Sequence, residues 1–159
     1  MFETIEKHRG VLNLILTALL VVATIALWIT TRDAVREARR ASQGTLLVQL
    51  NRDVFRDQRM YGIRKAIESK KPILEAHKGK FSEQELEDFI GYLDMIQGFV
   101  DKKILDCDLV EDNFAGYADE AYSNKEIREY LADLRREMND DKLYDGFEKL
   151  AKAKGVCKG

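Results

Sequence analysis

Proline, cysteine and histidine are nearly missing from this chain: its 159 residues include one proline, two cysteines and two histidines. With Pro72 the only proline, almost every segment is free to run as helix, because proline is the residue that most reliably ends one. Cys107 and Cys157 make no disulfide framework. A single pairing would need an oxidising compartment, and two isolated cysteines read as reduced thiols of a cytosolic domain. Cys157 stands third from the end, where a prenylation box needs its cysteine fourth. His8 and His77 have no second ligand at helical metal spacing and no nucleophile motif to serve. The ten glycines are scattered, and none forms GxxxxGK or GxGxxG. Period-two alternation is missing over any useful length, so strands are not expected.

Charge is missing from one place in particular. Val11 to Thr30, VLNLILTALLVVATIALWIT, carries no charge, glycine or proline. Twenty residues at about 1.5 Å each give a helix of about 30 Å, the hydrocarbon thickness of a bilayer. A core helix should have a polar face, and this run is apolar nearly all round. A signal peptide would be shorter and end in small residues, whereas this run ends Ala-Leu-Trp-Ile-Thr. The expectation is a retained membrane span over residues 11–31.

The flanks of the span set its direction. Lys7 and Arg9 precede it, and Arg32, Arg36, Arg39 and Arg40 follow within nine residues. Positive charge stays on the cytoplasmic side, so residues 1–10 form a short extracytoplasmic N-terminus and the rest lies in the cytoplasm. A single crossing of the membrane is expected. Trp28 sits where aromatic side chains favour the interface. The four arginines recur at i, i+4, i+7 and i+8 and share a helix face that can meet lipid phosphates. Together with Trp28 they are the expected membrane-surface residues of a basic stalk, 32–44. Asn13, Thr17 and Thr24 lie close to one face of the span, where polar side chains can bond across a helix pair.

Past the span the chain is polar, with a mean hydropathy of −0.36 for the whole and 34% charged residues. From Met60 onward there are more acidic than basic residues, which excludes the concentrated basic face of a nucleic-acid binder. Residues 45–154 read as one helical domain, with 155–159 a flexible tail. Ser42-Gln43-Gly44 reads as a hinge, since glycine weakens a helix by about 1 kcal/mol. A helix then carries Leu46, Leu47, Leu50, Val54 and Tyr61, widened by Val48 and Phe55, and stops before Pro72. Ser82 and Glu85 form a capping box. They open a helix whose core face is Leu86, Phe89, Ile90, Leu93, Ile96, Gln97, Val100 and Ile104. Gly91, Met95 and Gly98 fall on the opposite side and suggest a second packing surface, for helix–helix contact. Asp106 or Asp108 caps the next helix, through Leu109, Phe114, Tyr117, Ala118 and Ala121. Ser123 with Glu126 looks like a second capping box, before Ile127, Tyr130, Leu131, Leu134 and Met138. A last helix holds Leu143, Phe147, Leu150 and Ala151. The fold class expected is all-α: one transmembrane helix followed by a bundle of about five helices.

Chemistry is thinly supported. Asp101, Asp106, Asp108, Glu111 and Asp112 cluster, but without the glycine and regular oxygen spacing of a calcium loop. No catalytic, cofactor-binding or metal-ligating residue is assigned, no cofactor or small-molecule substrate is evident, and an enzyme is not expected.

Taken in order, the span, TTRDAVREARRASQGTLLVQLNRDVFRD, YLDMIQGFVDKKILDCDLVEDNF and EIREYLADLRREMNDDKLYDGFEKLA resemble a bacterial family of membrane-anchored, all-helical proteins of unknown function. That resemblance implies an anchored helical domain and transfers no site residue. The reading is a non-catalytic interaction module (scaffold, sensor or subunit of a membrane complex) whose partners are the bilayer and a protein partner or further copies of itself. The alternative is an oligomerising effector that perturbs the bilayer in a stress or phage-defence response.

Overall fold

The computed structural model describes the backbone from Phe2 to Ala153 and the side chains from Leu16 to Ala153, those of Asp53 and Phe55 excepted. Asn13 and the 155–159 tail therefore lie outside the described side chains. Among the described residues the chain is all-helical, and its one non-helical pairing is an isolated bridge between Leu74 and Phe81.

Helix α1, Phe2–Arg56, runs 55 residues. The hinge expected at Ser42-Gln43-Gly44 is not there, and α1 passes through it unbroken. One glycine costs too little to stop a helix, and beyond it Leu50 and Val54 are buried. The break comes instead at Asp57, whose carboxylate accepts the Arg59 and Met60 N–H groups and starts α2, Gln58–Glu68. An internal cap is a stronger punctuation than an internal glycine.

The chain divides into two compact units, Met1–Ser42 and Gln43–Gly159. In the first, every described side chain is exposed. It includes one helix that is long and apolar enough to cross a membrane, and none of its apolar window is buried within the chain.

The second unit has a proper core. After α2, Lys70 adopts a left-handed φ of 52° and Pro72 prevents any continuation. The segment to Phe81 folds back on itself, with the Lys80 and Phe81 N–H groups both donating to the Ile73 carbonyl. Helix α3, Glu83–Asp101, starts at the complete Ser82/Glu85 capping box. It buries Leu86, Phe89, Ile90, Leu93 and Ile96 as patterned. It ends at Asp101, so Ile104 falls outside it, 44% exposed, and Leu105 turns into the core instead.

Helix α4, Cys107–Val110, passes through a π turn, Glu111–Ala115, into α5, Gly116–Ser123. Asp106 holds the cap position of α4 without a side-chain cap bond. Its carboxylate accepts instead from Gln43 Nε2 at 3.1 Å. Helices α6, Lys125–Met138, and α7, Asp145–Lys152, complete the unit, with α7 packed on α3 and α5. Asn139, in the left-handed conformation, closes α6. Met138 is 62% exposed, because the apolar stripe of α6 outlasts the surface it packs on. Val48 and Tyr61 are also exposed rather than core. Among the described residues Phe114 and Phe147 are the largest fully buried side chains, and the Tyr122 ring meets Phe147 edge-on at 5.8 Å.

Candidate functional site

Asn124, not Ser123, caps α6: its side-chain oxygen accepts the Glu126 and Ile127 N–H groups at 2.9 and 3.3 Å. The capping box expected from Ser123 is thereby replaced, and the Glu126 carboxylate is released to reach another segment. It accepts the Ile73 and Leu74 N–H groups at 2.8 Å each, and its Oε1 lies 2.9 Å from His77 Nδ1. Ile73 and Leu74 are both buried, and buried amides without a ladder partner need an acceptor of this kind. Burial pushes the Glu126 carboxyl up, but the Ile73 and Leu74 N–H groups and His77 outweigh it, leaving the group below the ordinary glutamate range.

This pin forms one wall of an open groove of about 860 Å³ between the end of α2 and the α5–α6 junction. Lys70, Lys71 and Lys125 line it together with Glu68, Glu126 and His77, so its charge is mixed. Ser123 lines it too, but no hydrogen bond joins Ser123 to His77 among the described residues. What the arrangement does is fix the Pro72–Phe81 segment and orient one imidazole.

A second polar cluster lies across α6 and α7. Arg135 donates to the Leu143 carbonyl at 2.9 Å and sits 3.3 Å from Glu148. Glu148 also meets Lys152 at 2.7 Å. Lys152 first of all holds the Glu148 carboxyl low, and Tyr122 and Arg135 add to it. Tyr130 donates to Glu87 at 2.6 Å, and burial with that neighbour raises its phenol.

The surface residues expected near the membrane are all exposed: Trp28, Arg32, Arg36, Arg39 and Arg40. The Arg32 guanidinium lies 5.4 Å over the Trp28 ring, and Arg36 approaches Asp33 at 4.0 Å. Thr24 bonds the Leu20 carbonyl of its own helix at 2.7 Å, so its hydroxyl is satisfied without a second helix. Thr17 is exposed on the same helix. On α3, Gly91 lies under the Tyr144 ring, where an added Cβ would stand 3.4 Å from it. Met95 is 41% exposed, and Gly98 faces open space.

The close approach of α7 to α3 is made at Gly146, where a Cβ would come within 2.8 Å of Asp94 Oδ1. Asp94 also accepts the Phe147 N–H at 3.1 Å, serving as the cap that α7 lacks from its own chain neighbours. Nothing in the spacing of Asp94 announces that role. The π turn was equally silent in sequence. In it Asn113 donates to the Leu109 carbonyl and accepts from Asn51 of α1. Cys107 is disulfide-bonded rather than a reduced thiol, and the chain's other cysteine, Cys157, lies outside the described residues.

Residues 14–153 match the family described as a domain of unknown function, DUF4760. The chain belongs to the DUF4760 family. The match begins within the apolar run, so the DUF4760 domain comprises most of the apolar helix together with the helical unit. No curated protein and no solved structure matches the chain.

Proposed function

We propose that this DUF4760 protein is a non-catalytic interaction module held to a bacterial inner membrane by α1, its helical unit in the cytoplasm and its N-terminus outside. The observation that carries the reading is the contrast along α1, whose described side chains are all exposed to Ser42 while Leu50 and Val54 are buried in the second unit. An apolar helix whose described side chains are exposed is matched by a bilayer. The arginines after the span favour the cytoplasmic side. The disulfide at Cys107 weighs the other way, since such bonds persist in oxidising compartments. We give precedence to the charge signal, because flanking arginines act on orientation directly during insertion. Partners are the lipid surface and a protein, engaged through the exposed faces of the helical unit.

The test is carbonate extraction of membranes from cells making the full chain, followed by protease treatment of intact spheroplasts. The chain should stay with the membrane, and the helical unit should be protected until the cells are lysed. Digestion in intact spheroplasts would reverse the orientation, and release by carbonate would remove the anchor. Growth arrest on induction that vanishes when residues 1–31 are deleted would replace the module with the membrane-effector reading.

A further inference from the structure

We propose that α1 pairs in parallel with α1 of a second copy of this chain, along a coiled-coil seam that runs from Thr17 to Ala41. The proposal rests on the reading of α1 as a retained membrane span. Steps of three and four alternate without interruption along this stretch, through Leu20, Thr24 and Leu27 to Thr31, Ala34 and Ala38. A seven-residue repeat of that kind keeps one helix face against an identical helix. The structure adds that α1 is unbroken over the whole stretch, so that the lipid-facing part and the part beyond share one register. It also shows every residue of the face exposed.

Inside a bilayer an exposed apolar face is solvated by lipid. Beyond Thr31 it is not, yet the same face continues as Ala34, Ala38 and Ala41, with Val35 beside it 62% exposed. The charges of that segment are kept off it. At about 100° per residue, Arg32, Asp33, Arg36, Arg39 and Arg40 fall on the far side, and Glu37 is the one charge at its flank.

That distribution selects the occupant. An acidic or basic peptide would be drawn to the charged side, not to this one. Two copies in one membrane emerge on the same side, bring the same face together in register, and keep their arginines apart. Alanine at the contact lets the helices approach closely. Thr24 and Thr31 already bond the carbonyls of Leu20 and Leu27, so they bring methyl groups to the contact without leaving a buried hydroxyl unpaired.

The test places a photo-crosslinking residue singly at positions 34, 36, 38, 40 and 41 of the full chain in native membranes. Dimer-sized adducts should form at 34, 38 and 41 and be several-fold weaker at 36 and 40. Ala38→Glu, which sets like charges against each other, should abolish the adducts at 34 and 41 while leaving thermal unfolding of the helical unit unchanged. Equal adducts at all five positions, or adducts to other proteins alone at 34, 38 and 41, would overturn the pairing with the anchor intact. Release of the chain by carbonate would overturn the anchor, and the pairing with it.

Discussion

Leu20 and Leu86 belong to the same chain and the same residue type, yet the first is 65% exposed and the second fully buried. The difference lies in what surrounds them in sequence. Around Leu20 apolar residues occupy every side of the helix, so no single neighbouring element can cover them all. Around Leu86 the carboxylates Glu83, Glu85, Glu87 and Asp88 interrupt the pattern, leaving one apolar stripe that a second element can cover. Apolarity on all sides specifies a solvent, and apolarity on one side specifies a neighbour.

The largest effect that separates the two regions comes from removing a ring. Phe147 is fully buried between α3 and α5 and meets Tyr122, and Phe147→Ala should cost about 3–5 kcal/mol. Leu20→Ala removes a side chain that touches no core and should leave unfolding of the helical unit where it was. Urea titration of the full chain in detergent micelles, followed by tyrosine fluorescence, reads both. An equal loss from the two substitutions would abolish the contrast.

The Glu126 pin tests the same contrast by pH. Its folded carboxyl lies below the ordinary glutamate value, so the stability it contributes is fully present above that value, about 4.3. It is lost as pH falls through the lower folded value. Glu126→Gln should flatten this part of the acid arm, and at neutral pH it should cost about 1–3 kcal/mol, because the Ile73 and Leu74 amides lose a charged acceptor. Deamidation-free unfolding curves of the two proteins between pH 3 and 7 make the comparison. An unchanged acid arm in the variant would show that other carboxylates govern it.

These interactions also mark where sequence pattern stops being informative. Helix existence was readable, because Leu86, Phe89, Ile90, Leu93 and Ile96 recur with the helical period and Ser82 with Glu85 satisfies the first amides locally. Both signals lie within a few residues of each other. Glu126 was misread for the opposite reason. Its partners lie 52 and 53 residues away, and the local rule that pairs a Ser with a Glu three residues later had a competitor in Asn124, one residue closer. The hinge at Gly44 failed because a propensity of about 1 kcal/mol was set against burial that only the folded unit reveals. The family match, from residue 14 to 153, covers most of the apolar leading helix and the helical unit.

The smallest effects are the most diagnostic, because two glycines on the α3–α7 side should respond with opposite signs. At Gly146 a Cβ would stand 2.8 Å from Asp94 Oδ1 and 3.0 Å from the Asp94 carbonyl oxygen. The carboxylate is already held by the Phe147 N–H and the carbonyl belongs to α3, so neither can retreat without loosening α7. Gly146→Ala should therefore destabilise by about 1–3 kcal/mol. At Gly98 a Cβ meets nothing within 4 Å, and the only change is relief of glycine's conformational freedom in a helix. Gly98→Ala should stabilise by about 0.5–1 kcal/mol. Thermal unfolding of the two variants decides whether the second face of α3 is occupied by its own chain at one end and open at the other. If Gly98→Ala destabilised instead, something beyond this chain would have to be packed on that face, and the rule that separates Leu20 from Leu86 would hold inside the helical unit as well.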